Sequence, residues 1–500
     1  MSRLFVRLFL VITGQLRTLV LATGIGLLVP LTITAQTPNL QADATNSGET
    51  SPLAGPAADS SAAQQPAYPQ QQQQNPSQAP DQGKLGVTLG AINFRFRGTL
   101  LLNLSGSDSG VVGGDLPLWA GARNATFPDG SSGRTHDLFI TARQTVLGFT
   151  ISPSTPPASG WTPAAVVEFD FFGSRPADGN LPQGRVFNQP RLRLAYFQLT
   201  KGTWKFVAGQ DKVIIAPLDP ISFSHVAAPL GATAGNLWGW LPQVRVEKTQ
   251  QLSEKTTASF QAGVLRPEFA DTRLNDTLTL NAAGNIPGTA SLDNPTAGTR
   301  STMPFFQARA ALSHPMNGST ATVGVGVHYG REVAGLTRHP DSWVSALDFR
   351  IPVHSRLILR GEGYAGSNLI PFQGGIDQGV AVVAATPPQP QTYLIKKIGD
   401  AGGWGELTIR VTKDDKNHLY FGAGTDDPVI HTLLPGSTRS KNTFYWASYF
   451  HKLTNDVTMA LEWSNWQFRT VGFPGGGTVP GPRNPVGRAN VLNLAFAYTF

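Results

Sequence analysis

The last eleven residues of the chain, Asn490 to Phe500, alternate between two kinds of side chain. Every second position is large and apolar or aromatic: Leu492, Leu494, Phe496, Tyr498 and Phe500. The positions between them carry smaller side chains, such as alanine, asparagine and threonine. Successive side chains of a β-strand point to opposite faces. The segment is therefore predicted to be a strand with one apolar face and one face of smaller residues.

Residues 1–35 have the features of an export signal. Arg3, Arg7 and Arg17 supply positive charge, and the uncharged apolar stretch Thr18–Leu31 follows. This stretch is shorter than the roughly 20 residues of a spanning helix, but it suits the apolar region of a signal peptide. The alternative is a membrane anchor that stays attached. No other segment has the apolar length of a spanning helix, and the absence of cysteine excludes disulfides.

Residues 36–83 are of low complexity, rich in Ala, Gln, Pro, Ser and Thr. Such a segment has too few bulky apolar residues to bury a core, so it is predicted to be disordered or extended. We interpret it as a periplasmic linker that acts as a passive spacer. The alternative is a segment that contacts the cell wall or forms trimers.

Residues 84–500 are predicted to contain about sixteen strands of the length expected for tilted membrane strands. The predicted spans are Asn93–Leu104, Asp137–Ile151, Ala164–Phe172, Arg191–Thr200, Thr203–Gln210, Pro242–Thr249, Lys255–Arg266, Met303–Ser313, Ser319–Arg331, Ser342–Pro352, Ser355–Gly366, Gly402–Thr412, Asn417–Thr425, Asn442–His451, Asn455–Arg469 and Ala489–Phe500.

The links between these strands alternate between short and long, with the Pro-rich link Ser152–Pro163 longer than a tight turn. Short turns on one side and long loops on the other are typical of outer-membrane barrels. The strand faces agree, since apolar residues such as Val323, Val325 and Val327 alternate with Gly324 and Gly326. In one strand Leu192, Leu194 and Tyr196 are predicted to share the apolar face. A barrel of about sixteen strands is too wide to be filled by side chains, so the apolar face is predicted to point outward to lipid.

Several segments, and the terminal strand that ends on an aromatic residue, resemble known outer-membrane proteins. The segments are Thr141–Phe149, Val167–Gly173, Arg191–Tyr196, Val207–Asp211 and Gly235–Arg245. In order and spacing they resemble the DcaP-like family of trimeric outer-membrane porins. The resemblance implies a sixteen-stranded trimeric channel that takes up small solutes, often organic anions. Members often carry a coiled coil before the barrel, whereas the linker of this chain shows no heptads.

The predicted inner face of the first half carries basic residues with the acids Glu168, Asp170 and Glu247 among them. The candidates for lining the pore and selecting anions are Arg95, Arg97, Arg143, Arg191, Arg193 and Arg245, with Glu168 and Asp170. The arginine fork suits carboxylates and phosphates, and a ring of such groups focuses a positive potential. The alternative is that these charges pair with each other and only hydrate the lumen.

The link after the fifth predicted strand, Asp211 to Leu241, is unusually apolar for a loop in solvent. It carries the polar candidates Asp211, Lys212, Asp219 and His225. We interpret it as a loop that folds inward and constricts the channel. The alternative is an apolar loop packed in a trimer interface.

The predicted function is passive diffusion of small hydrophilic solutes across a bacterial outer membrane, with a preference for small organic anions such as carboxylates. No catalytic residue, cofactor or metal is predicted. The 36 basic and 28 acidic residues from Lys84 onward argue against a nucleic-acid binder. The expected partners are outer-membrane lipid, lipopolysaccharide, the barrel assembly machinery and two further copies in a homotrimer. Phe500 is predicted to help close the barrel. The rival hypothesis is a structural envelope anchor with a plugged barrel.

Overall fold

The computed structural model describes residues 85–122, 136–173, 189–269, 297–333, 339–384 and 393–500. The predicted signal peptide and linker lie outside these residues. The strands are β1 (Leu85–Leu89), β2 (Ile92–Ser107), β3 (Val111–Val112), β4 (Trp119–Ala120), β5 (Asp137–Thr141), β6 (Val146–Pro153), β7 (Thr162–Gly173), β8 (Gln189–Lys201), β9 (Trp204–Lys212), β10 (Trp240–Gln251), β11 (Thr257–Leu265), β12 (Phe305–Met316), β13 (Ser319–Arg331), β14 (Asp341–His354), β15 (Leu357–Ser367), β16 (Val380–Ala384), β17 (Tyr393–Lys397), β18 (Gly399–Arg410), β19 (Asn417–Pro428), β20 (Arg439–Lys452), β21 (Val457–Val471) and β22 (Arg483–Thr499).

Eighteen of these strands form one sheet, and it closes on itself. β5 and β6 both pair with the same side of β2, so they are one wall strand interrupted after Thr141. β1 pairs with the first residues of β2, in line with β22 on the same side. The wall is therefore a barrel of sixteen antiparallel strands, and each of the sixteen predicted spans overlaps one of them.

The barrel is closed by the pairing of β2 with β22, which runs in register from Thr99 opposite Thr499 to Ser107 opposite Val491. At the end of this ladder the Gly98 N–H donates to the Phe500 oxygen at 3.2 Å, and the Phe500 N–H donates to the Gly98 oxygen at 3.1 Å. Closure leaves no unpaired strand edge between first and last wall strands, which is how a barrel avoids edge-to-edge association.

The strand faces differ as predicted. Val323, Val325 and Tyr329 are exposed on the outside, whereas the neighbouring Gly324, Gly326 and His328 are buried inside. The long and short links also keep the predicted alternation, and the links beyond β2 and β15 contain the small hairpins β3–β4 and β16–β17. Among the described residues no helix has the length and apolar character needed to span a membrane.

One predicted face is wrong. Leu194 and Tyr196 were expected to face outward with Leu192, but they are only 7% and 5% exposed and lie in an apolar cluster inside the barrel. Their strand, β8, has one residue more than β7 at Arg193. Such a β-bulge shifts the alternation by one residue, so Leu192 points outward while Leu194 and Tyr196 point inward.

Candidate functional site

The segment between β9 and β10, residues 213–239, lies inside the barrel. Its apolar side chains are almost fully buried: Ile215, Phe223 and Leu237 are each at most 2% exposed. They pack against inward-facing residues of strands on the opposite wall, as Phe223 does in stacking on Phe450 of β20 at 4.8 Å. A sixteen-stranded barrel leaves an interior too wide for side chains alone, and this inner loop occupies part of it.

Carboxylates of the wall hold the backbone of the inner loop. Glu362 of β15 accepts the Leu218 N–H at 2.7 Å, and Glu406 of β18 accepts the Ile221 N–H at 2.8 Å. Further along, Glu462 of β21 accepts from two consecutive N–H groups of the loop. Buried N–H groups must find an acceptor, so these wall acids fix the path of the loop.

Amide side chains extend the same support around the wall. Gln307 of β12 accepts the Ile214 N–H at 2.7 Å. In the interruption between β5 and β6, Gln144 accepts the N–H of Val226 at 2.7 Å and donates to the Ser224 oxygen at 2.9 Å. The sequence analysis missed these amides, and their only sequence signal is a polar residue next to or within a strand.

The inner loop also needs one glycine at its closest approach to the wall. Gly235 has a φ of +111°, and a Cβ atom there would collide with the backbone oxygens of Gly403 and Thr425. Only glycine combines this backbone conformation with the absence of a side chain. The chain can therefore lie directly against β18 and β19.

The four polar candidates of this loop have different positions. Asp211 and Lys212 are the last two residues of β9 rather than part of the loop. Asp211 is paired with Arg245 at 2.7 Å, and Lys212 is paired with Asp219. The loop contacts the inner face of the barrel, so its predicted alternative position in a trimer interface is wrong.

His225 is buried in the loop and held on both ring nitrogens. Its Nε2 donates to the Pro117 oxygen at 3.3 Å, because a carbonyl can only accept. Nδ1 of the neutral ring then accepts from the Ser224 hydroxyl at 2.9 Å. Burial lowers the pKa of His225 to about 4, although the hydrogen bond to Pro117 opposes that change.

The predicted basic wall is a network of ion pairs. Glu168 binds Arg97 at 3.1 Å and Arg193 at 2.9 Å. Asp170, which is fully buried, binds Arg191 at 2.6 Å and Arg193 at 3.2 Å. Each carboxylate is shared by two arginines. The geometry of these arginines therefore fits the alternative prediction, in which the charges of the wall pair with each other.

The remaining predicted arginines are also paired with carboxylates, with one exception. Arg245 lies between Asp211 and Glu247, 2.6 Å from the latter. Arg143, in the interruption between β5 and β6, donates through Nε to Asp115 at 2.9 Å. Arg95 has no ion pair among the described residues, and its side chain lies over Gly86 of β1.

An open cavity lies between the inner loop and the wall of β7 to β11. Its aromatic surface comes from Trp238 and Trp240, whose rings meet edge to face at 5.1 Å. The charged lining consists of four basic residues, Arg193, Lys205, Lys212 and Arg245, and four acidic residues, Glu168, Asp211, Asp219 and Glu247. The lining is therefore strongly charged but balanced. In the described part of the chain no group of His, Asp and Glu side chains has the arrangement of a metal site.

No family model and no curated protein matches the sequence. Among solved structures, the chain is similar to the outer membrane channel DcaP of Acinetobacter baumannii, with 14% identity, coverage of 83% of this chain and 99% of that chain, and a TM-score of 0.53. Looser matches are an anion-selective porin from Comamonas acidovorans, with 12% identity, coverage of 82% and 100% and a TM-score of 0.47, and OmpT of Vibrio cholerae, with 11% identity, coverage of 83% and 100% and a TM-score of 0.44. At the level of the fold, the resemblance to DcaP is confirmed: the chain shares the barrel fold of that channel.

Proposed function

We propose that this protein is a channel for passive diffusion of small hydrophilic solutes across a bacterial outer membrane. The observation that carries the proposal is a closed barrel with an apolar outer face and a charged cavity inside. Diffusion needs width, wall charge and a constriction, and no catalytic group. DcaP, which shares this fold, is an outer membrane channel, and this supports the same function for the chain.

The inner loop is proposed to be the constriction. It starts at β9 and is fastened to wall strands on the far side of the interior, including β15, β18 and β21. The open cavity remains on the other side, along β7 to β11. A solute would therefore pass between the loop and the ion-pair network of Glu168, Arg193 and Arg245.

Selectivity in this passage is proposed to depend on paired charges. The lining carries equal numbers of bases and acids, so it does not by itself favour anions. Arginine still offers directed donors to a passing carboxylate, while the adjacent Glu168 and Asp211 limit the net potential. We propose that Arg143, Arg191 and Arg193 act together with their carboxylate partners rather than as a free basic wall.

The remaining elements of the proposal rest on the fold and the outer surface. The short turns would face the periplasm, as is usual for such barrels, together with the N-terminal linker. The exposed apolar outer face fits outer-membrane lipid and lipopolysaccharide, a homotrimer fits the resemblance to trimeric porins, and insertion would require the barrel assembly machinery.

A second function, an envelope anchor with a plugged barrel, is favoured by the apolar clusters inside the barrel. Ile215, Leu237 and Phe372 belong to one of them, and all are at most 2% exposed. Such packing would seal the barrel if it extended across the whole cross-section of the interior.

Recording in planar bilayers separates the two functions. The purified protein in potassium chloride should give large conductance steps that rise linearly with voltage. A bilayer that contains inserted protein and stays sealed would support the anchor. A salt gradient in the same experiment gives the ratio of anion to cation permeability.

A further inference from the structure

A second group of arginines lies inside the barrel at the end with the short turns. Arg350 of β14 stands directly opposite Arg360 of β15 in the strand register. On the other side of β15, the Arg410 N–H donates to the Arg356 oxygen at 2.9 Å, which continues the pairing of Leu357 with Ile409. The four arginines, called the mouth cluster below, thus form two like-charged pairs, of which Arg356 lies in the turn just before β15 and the other three lie on strands.

Three arginines of the mouth cluster face the lumen. Arg360 donates to the backbone carbonyl oxygen of Asp219 in the inner loop at 2.5 Å, so its side chain points inward. Arg350 is its register partner and shares that face. Arg410 lies on the same face of β18 as Glu406, which also contacts the inner loop, because the two positions differ by an even number of residues.

Like charges directly opposite each other on neighbouring strands are destabilising, and the four arginines differ in how far they are compensated. Arg360 has Glu406 at 3.8 Å and lies over the Trp404 ring at 5.7 Å. Arg410 has Asp415 at 3.8 Å, but that carboxylate is shared with His418 at 2.7 Å and Lys452 at 3.7 Å.

The other two arginines have no carboxylate within ion-pair distance in the described ranges. Arg350 donates to the Ser319 hydroxyl at 3.1 Å and to the Thr320 oxygen at 2.6 Å, both of which are neutral. Its register partner on β15 is Arg360, which has the same sign of charge. The wall of β7 to β10, in contrast, has a carboxylate beside each of its inward bases.

We infer that the mouth cluster is a binding site for a small oxyanion, a carboxylate or a phosphate, at the short-turn end of the lumen. The inference deepens the proposed channel function and rests on it for its physiological meaning. An oxyanion would offset the repulsion in both pairs, and the planar arginine fork matches its oxygens better than a halide. Arginines without a carboxylate partner in the described ranges are then found at this mouth, as Arg350 and Arg356, rather than on the ion-paired wall of β7 to β10.

The test uses the full barrel in detergent, with inorganic phosphate and malonate as probes at constant ionic strength. A ligand that binds the folded state raises the unfolding temperature, so titration gives an apparent affinity for each probe. In the double variant Arg350→Gln, Arg356→Gln, affinity should fall about fourfold per arginine for each anion charge, if the charges act at about 5 Å in water. The matched control is Lys413→Gln, Lys416→Gln, which removes equal charge from the exposed turn at the same end and should leave affinity unchanged.

Folding of the variants is checked without ligand, where the double variant should unfold no earlier than wild type because repulsion is relieved. If it does not fold, Arg350→Lys with Arg356→Lys replaces it. That variant keeps the charge, so it should still bind but lose its preference for oxyanions over chloride.

Each outcome decides the inference. Stabilisation by either probe that depends on these arginines supports the site and tells carboxylate from phosphate. Stabilisation by neither probe, or equal affinity in the double variant, overturns it. A sealed bilayer together with arginine-dependent binding would reject the channel function and keep the site, whereas open channels without binding would do the reverse.

Discussion

Glu462 offers the most specific test of how the inner loop is held. One of its oxygens, Oε1, accepts the N–H groups of Phe223 at 2.8 Å and Ser224 at 2.7 Å. The other, Oε2, contacts the hydroxyls of Ser222 at 2.8 Å and Ser448 at 3.3 Å. One carboxylate oxygen thus binds the two N–H groups and the other binds the two hydroxyls. A glutamine can therefore replace this glutamate.

In Glu462→Gln the amide oxygen can accept both N–H groups, and its NH₂ can donate to the two hydroxyls, whose oxygens are also acceptors. We expect this variant to keep the loop in place. In Glu462→Ala both buried N–H groups lose their acceptor. Each such loss costs about 1–3 kcal/mol, so docking of the loop should weaken by about 2–6 kcal/mol in total, toward the lower value where water reaches the site.

Limited digestion with chymotrypsin is the assay, because Phe223 is only 1% exposed in the docked loop. Cleavage at Phe223 should be fast in Glu462→Ala and slow in wild type and Glu462→Gln, and single-channel current should be noisier and larger in the alanine variant. Equal protection of all three proteins would refute the assignment of Glu462 as the anchor. Rapid cleavage of both variants would show that the charge itself, rather than the acceptor geometry, holds the loop.

Four further outcomes are expected. Val325→Arg places a charge on the lipid face and should cost about 2–4 kcal/mol of barrel stability near the midplane, measured by urea titration. Val325→Leu should be neutral in the same titration. Deletion of Phe500 removes both of its hydrogen bonds to Gly98 and should lower the yield of folded barrel on a non-denaturing gel; a normal yield would contradict its role in closure. Arg193→Gln leaves two carboxylates with one partner fewer, so the reversal potential in a salt gradient should move toward cation selectivity, less so at 1 M salt because screening there acts within about 3 Å. His225 has a lowered pKa, so the docked loop should lose stability as the pH falls from about 6.5 to about 4, and His225→Gln should remove this contribution, measured as a smaller difference in unfolding temperature between the two pH values.

One substitution shows where reasoning from strand faces fails. By alternation alone, Gly326 faces a wet lumen, and an arginine there is predicted to be far milder than one at Val325. In the structure a Cβ at Gly326 would lie 3.0 Å from Cα of Ile215 in the inner loop. We therefore expect arginine at this position to displace the loop, and the structure no longer favours a mild effect.

The sequence by itself determined the barrel. The positions, lengths and outward faces of its strands follow from alternation with period two and from links sorted by length. These are local properties, because each side chain takes its face from its own strand. The failure at Leu194 and Tyr196 has a local cause too, but a β-bulge depends on the partner strand, and alternation within β8 does not reveal it.

Only the tertiary structure decided what the charges and the inner loop do. Phe223 and its acceptor Glu462 are 239 residues apart along the chain, and Arg193 finds both its carboxylates on a different strand. Cross-strand pairing is set by register, and the path of a loop is set by acceptors that reach it from several strands. The sequence predicts that bases and acids share the inner face of a wall. It does not show which of them come within the few ångströms that an ion pair requires. The three-dimensional arrangement alone therefore separates the ion-paired wall of β7 to β10 from the mouth cluster, where Arg350 and Arg356 have no carboxylate partner among the described residues.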